Sequence, residues 1–195
     1  DIYLFNTEGE LENLILRKEI PSLKDVYGVT FYRDDFNTYL FISDKKGNVE
    51  QWSYNNDEAN SEIIFVRKLK FSSLVEGLVA DESKGKIYIG QERKGIWELN
   101  AFPSFDSQKK LIFKKSKNFK PDFEGLTLRD DGNGEGYLIA SVQGSNGYLI
   151  IDRKSLDAKI FFRIIDGDKI DGTTETDGID VTSIKTSKFN SFANW

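Results

Sequence analysis

The chain has 195 residues, 38% hydrophobic and 13% aromatic, which suits one folded domain with a sizeable core. It contains no Cys and no His, which excludes disulfides, zinc sites, thiol or imidazole nucleophiles and imidazole acid–base chemistry, so a metal here is a hard cation held by oxygen. The net charge of −5 argues against a general nucleic-acid surface, and no apolar run approaches the roughly 18 residues of a membrane span.

Residues 1–20, "DIYLFNTEGELENLILRKEI", read as a hairpin turning at "NTEGE". This opening has no Met and no basic, apolar leader, so the segment is expected to be a processed or excised piece. Beyond it come short runs rich in Tyr, Ile, Leu and Phe: "TYLFIS" (38–43), "KIYIG" (86–90), "GYLIAS" (136–141) and "GYLIID" (147–152). Gly, Asn and Asp turns bound them, which is a strand signal. "DGNGEG" (131–136) lacks the spacing and terminal Glu of an EF-hand loop and reads as a hairpin turn. No long stretch has a helical period.

The strands repeat. "VYGVTFYR", "VEGLVADE", "FEGLTLRD" and "TDGIDVTS" each carry, from the second position on, a polar residue, a Gly and an apolar residue. The polar residues are Tyr27, Glu76, Glu124 and Asp177, spaced by 49, 48 and 53. A unit of about 50 residues holding several strands has the size of a β-propeller blade. The expected fold is all-β: four-stranded antiparallel blades, three complete, with half-blades at 1–20 and at the strand 178–183. A β-sandwich also fits the strand content, but it does not call for this regular return. The whole of 1–195 is then one partial propeller domain.

Innermost strands of successive blades surround one axis, so Tyr27, Glu76, Glu124 and Asp177 are expected at one mouth of the channel. Val29, Leu78, Leu126 and Ile179, which follow the glycines, are expected to pack between blades. A second recurring position, 16 to 19 residues later, holds Lys45, Glu92 and Gln143. Asp122 lies two residues before Glu124 and shares its side of an extended segment. A single acidic residue in a turn is ordinarily just solvated. Gathered by the repeat, Glu76, Glu92, Asp122, Glu124 and Asp177 repel one another, and a divalent cation such as Ca²⁺ resolves the repulsion.

The motifs "DVYGVTFYR", "KKGNVEQW", "VEGLVADESKGKIYIGQERKGIWEL", "PDFEGLTL", "GEGYLIASVQGSNGY" and "IDGTTETDGIDV" together resemble the β-propeller phytases, over residues 25 to 183. The resemblance implies the C-terminal portion of a six-bladed, calcium-dependent phosphatase that acts on phytate. It implies that Tyr27 and Lys45 contact phosphate, and that Tyr27, Lys45, Glu92 and Glu124 serve catalysis. Glu76, Glu92, Asp122, Glu124 and Asp177 resemble ligands of an active-site cluster of several Ca²⁺ ions, and Asp171 resembles a ligand of a separate structural calcium. The implied reaction is metal-assisted hydrolysis of a phosphate monoester by an activated water. Inositol phosphates are the implied partners, with no nucleic acid and no membrane, and the protein is expected to be a secreted or periplasmic monomer.

Two positions depart from the family pattern. Lys46 stands where the family has an acidic residue, and Gln91 replaces an acidic residue before Glu92. The upstream blades, with their further basic residues, lie outside this sequence, and the family's closing strand is not recognisable after Val181. A calcium-dependent propeller lactonase and a non-catalytic, calcium-stabilised binding module are the competing readings.

Overall fold

The computed structural model describes residues 2–5, 10–16, 22–57, 60–103, 108–115 and 122–182. Strands β1 (Ile2–Phe5) and β2 (Leu11–Leu16) pair antiparallel as expected, and residues 6–9 of the turn expected at "NTEGE" lie outside the described residues. Three four-stranded meanders follow. The first joins β3 (Val26–Arg33), β4 (Thr38–Asp44), β5 (Asn48–Asp57) and β6 (Asn60–Lys70). The second joins β7 (Val75–Asp81), β8 (Lys86–Gln91), β9 (Gly95–Asn100) and β10 (Lys110–Lys114). The third joins β11 (Phe123–Gly132), β12 (Glu135–Val142), β13 (Gly147–Asp152) and β14 (Ala158–Phe162). All pairings are antiparallel and sequential, and the first strands β3, β7 and β11 lie side by side as the inner strands of three blades.

The continuous apolar runs follow from burial on both faces. In β8, Ile87 and Ile89 pack with Phe41, Val49, Leu69 and Leu78 between the first and second blades. The intervening Tyr88 packs with Phe123, Leu126, Leu138 and Leu149 between the second and third. Side chains alternate across a strand, so a strand sandwiched between sheets needs apolar residues at consecutive positions. The "DGNGEG" turn is a two-residue hairpin loop. Asn133 and Gly134 both have positive φ, 53° and 74°, the conformation that favours Asn-Gly between strands.

The recurring x-Gly pair is a bulge. In each inner strand one extra residue is inserted opposite the second strand: between Val26 and Val29, between Val75 and Leu78, and between Phe123 and Leu126. The glycine is needed for a close approach. A Cβ on Gly28 would lie 2.1 Å from the Glu76 carbonyl oxygen, one on Gly77 2.6 Å from that of Glu124, and one on Gly125 2.9 Å from that of Asp177. Each glycine thus seats the backbone of the next repeat's polar residue.

Two expectations are corrected. Residues 178–182 form no strand, and residue 183 lies outside the described residues. After β14 the described chain runs irregularly, apart from one bridge between Gly167 and Ile170, and offers 178–182 no ladder partner. The half-blade there is therefore not formed among the described residues, although Asp177 still reaches its place beside Gly125. Second, Val29 is 60% exposed, whereas Leu78 and Leu126 are 8% and 7% exposed. These residues point back towards the preceding blade. No described four-stranded sheet precedes the first blade to cover Val29.

A buried ion pair joins the second blade to the third. Arg153, in the turn just after β13, donates from Nε and Nη2 to the two Asp81 oxygens at 2.7 and 2.6 Å. Its Nη1 donates to Asp130 Oδ1 at 2.5 Å and to the Glu135 carbonyl at 2.9 Å. Both Arg153 and Asp81 are buried, and the hydrogen bonds to Asp81 raise the arginine further above its ordinary value. Asp81 also caps the short turn Glu82–Lys84, accepting from the Lys84 amide at 3.1 Å.

Candidate metal centre

The three bulges and the loop after β14 bring the repeat's polar residues together. Carboxylate oxygens of Glu76, Glu124 and Asp177 all lie within 4.8 Å of one another, and so do those of Glu92, Asp122 and Glu124. Glu124 belongs to both groups and is the most buried of the five. The second recurring position is also held alike in each blade. Backbone amides of Lys45, Glu92 and Gln143 donate to the carbonyls of Asp25, Leu74 and Asp122, at 3.2, 3.2 and 2.9 Å. The tight turns between second and third strands are thereby tied to the start of the inner strands. In the first blade the buried Asp44 carboxylate builds that turn, accepting from the amides of Lys46 and Asn48 at 2.9 Å each. Burial opposes its charge, but these bonds and the Asn48 side chain hold it below the usual carboxylate range.

Lys45 stands at the tip of that turn with its Nζ 4.6 Å from the centre of the Tyr27 ring. Burial first, and then the neighbouring Glu76 carboxylate, push the Tyr27 phenol up to about 12. It therefore keeps its O–H, a hydrogen-bond donor, at neutral pH. Asp171 stands apart from both acidic groups and is exposed. Of the expected site residues, the structure thus gathers Glu76, Glu92, Asp122, Glu124 and Asp177, sets Tyr27 and Lys45 beside each other, and leaves Asp171 on the loop. Ser43 and Ser141, both buried opposite the bulges, are not among the expected site residues. The signal was present: they stand two residues before Lys45 and Gln143, where the repeat places Gly90 in the second blade.

The electrostatics suit a cation. Burial, then Glu76, then the charges of Asp122 and Asp177, push Glu124 up to about 9. Burial and Asp122 raise Glu92 as well. One oxygen of Glu76, Oε2, is buried without a hydrogen-bond partner. A set of crowded carboxylates with an unpaired buried oxygen, in a chain without His or Cys, fits a hard divalent cation such as Ca²⁺.

A family model described as Phytase matches residues 1–190. The chain belongs to the phytase family. A 3-phytase from Bacillus subtilis (strain 168) is 37% identical to this phytase-family chain over 165 residues, which are 82% of the chain and 43% of that protein. The chain thus spans less than half the length of this curated relative. Among solved structures, the WD40 domain of SCAP from fission yeast resembles it at a TM-score of 0.49 and 18% identity, over 82% of this chain and 39% of that one. Among the described residues of this phytase-family protein, no helix is long and apolar enough to cross a membrane.

Proposed function

We propose that this protein is a calcium-dependent phosphoric monoester hydrolase that releases phosphate from phytate. The observation that carries the reading is the pair of carboxylate groups sharing Glu124, beside Lys45 and Tyr27, in a phytase-family chain. The 37% identical 3-phytase supports the substrate class.

In this reading Glu76, Glu92, Asp122, Glu124 and Asp177 hold Ca²⁺, and Asp171 serves a separate structural calcium. Bound calcium supplies positive charge for phosphate oxygens and acidifies water. The chain's own groups do the rest. The Lys45 ammonium and the Tyr27 hydroxyl bind and orient the phosphate, and both oppose the negative charge that builds on it in the transition state. Glu92 and Glu124, raised by burial and by their neighbours while the site holds no metal, give up their protons when the cation binds and then serve the reaction as its ligands. The protein acts as a secreted or periplasmic monomer on inositol phosphates.

The test is phosphate release from phytate, with calcium and with a chelator. Calcium-dependent release, lost in Glu124→Gln, is the expected result. Lys45→Ala should weaken phosphate binding while leaving calcium affinity nearly intact. Opening of a lactone without phosphate release would replace the reading with that of a lactonase. Stabilisation by calcium with no turnover would leave a binding module.

A further inference from the structure

Two buried serines tie the bulges to the neighbouring repeat. Ser43 and Ser141 are the residues opposite the bulges of the first and third blades, and both are fully buried. In the first blade the Gly28 amide donates to Ser43 Oγ at 2.9 Å, and the hydroxyl lies 2.9 Å from the Val75 carbonyl. In the third the Gly125 amide donates to Ser141 Oγ at 2.7 Å, and the hydroxyl lies 2.5 Å from the Asp177 carbonyl. The competing acceptors, the carbonyls of Gly28 and Gly125 in the same blade, are both 3.5 Å away. A serine hydroxyl has one proton. The shorter contact takes it, so each hydroxyl donates across to the next repeat. The second blade has Gly90 here. It lacks a hydroxyl, and a Cβ on it would lie 3.3 Å from Phe123 Cβ.

The two serines do not carry equal weight. Val75 and Glu76 belong to β7, which the β8 ladder holds in place with or without Ser43. Asp177 lies where the described chain forms no strand, so no ladder places it. Its carbonyl receives the Ser141 bond, and side-chain bonds flank it on either side. The Glu175 amide donates to Asn146 Oδ1 at 2.9 Å, and Thr127 Oγ1 donates to Asp180 Oδ1 at 3.1 Å.

We infer that Ser141 is a positioning residue for the metal centre: it holds the Asp177 backbone so that the carboxylate stands against Glu76 and Glu124, with Ser43 as its weaker counterpart. The inference rests on the proposed calcium site. Calcium takes its oxygen ligands within a narrow range of distances, about 2.3–2.6 Å, so a ligand whose backbone drifts is lost to the site. Groups that orient metal ligands typically change affinity by about 10–100-fold when removed.

Terbium(III), a luminescent stand-in for calcium, is the probe. It is titrated into wild type, Ser43→Ala and Ser141→Ala, and each is also melted in chelator. Ser141→Ala should bind terbium about tenfold more weakly, and Ser43→Ala within about threefold of wild type. The two variants should lose similar amounts of melting temperature in chelator, since each gives up one buried hydroxyl. Unchanged terbium affinity in Ser141→Ala, or equal loss in both variants, would overturn the inference and leave the calcium site standing. Wild type that binds no terbium would overturn the calcium site and the inference with it.

Discussion

Glu124 is the residue on which the site turns, because it alone belongs to both carboxylate groups. With its carboxyl pushed up to about 9, it carries a proton at neutral pH that a metal must displace. Affinity for calcium should therefore rise with pH between about 6 and 9, by up to tenfold per unit. Calorimetric titration across that range checks it, and an affinity independent of pH would refute it. Glu124→Gln should weaken binding by roughly a hundredfold, more than Asp122→Asn or Asp177→Asn, which each touch one group. Groups that merely orient ligands already cost about 10–100-fold. It should also flatten the pH dependence. Gly77 sets a second limit at this scale. An alanine Cβ there would stand 2.6 Å from the Glu124 carbonyl and 3.0 Å from Leu126 Cγ. The backbone cannot yield cheaply, so Gly77→Ala should cost about 1–3 kcal/mol in a denaturant melt. It should also weaken metal binding, since the same contact spaces Glu76 from Glu124.

The element that makes the site is the bulged inner strand. A regular strand would send alternate side chains to the two blade faces; one inserted residue re-aims the side chain before the glycine and lets the blades meet there. The repeat was legible as x-Gly-apolar in the sequence, and so were the strands and the hairpin at Asn133–Gly134, because turn chemistry and apolar runs are local. The bulge was not legible, since it is defined by the register against the second strand. Nor was the clasp between blades, whose partners Asp81 and Arg153 are 72 residues apart. Removing one partner of a buried pair strands the other charge. Arg153→Met should therefore destabilise by about 3–5 kcal/mol, whereas the double change Asp81→Leu with Arg153→Met should cost much less. Urea unfolding of the two variants tests this, and equal losses would mean that the pair acts through packing and not through charge.

For the whole molecule, metal and pH act on stability together. Glu124 binds its proton more tightly in the folded chain than at its ordinary value of 4.5. Unfolding then releases a proton between about 4.5 and 9, so in chelator stability should fall as pH rises through that window. Calcium should reverse the trend, because it replaces the proton. At a hundredfold excess over Kd it should add about 2.7 kcal/mol. Melting scans at pH 5 and pH 8, with calcium and with chelator, check both signs; superimposable curves would remove the metal from the account.

The all-β class, the repeat of about 50 residues and the chemistry available to the site can be read from the order of residues alone. Oxygen ligands follow from the absence of His and Cys, and strand content follows from apolar runs between turn residues, both properties of short stretches. How the repeats meet is a property of the folded chain. It put five of the expected carboxylates in two overlapping groups, left Asp171 apart, exposed Val29 and formed no strand at 178–182. Those outcomes depend on what lies opposite each residue. Val29 has an apolar neighbour's pattern but no described blade to cover it. Residues 178–182 have a strand's composition but no ladder to join among the described residues, and a strand is stable only through the hydrogen bonds of a partner.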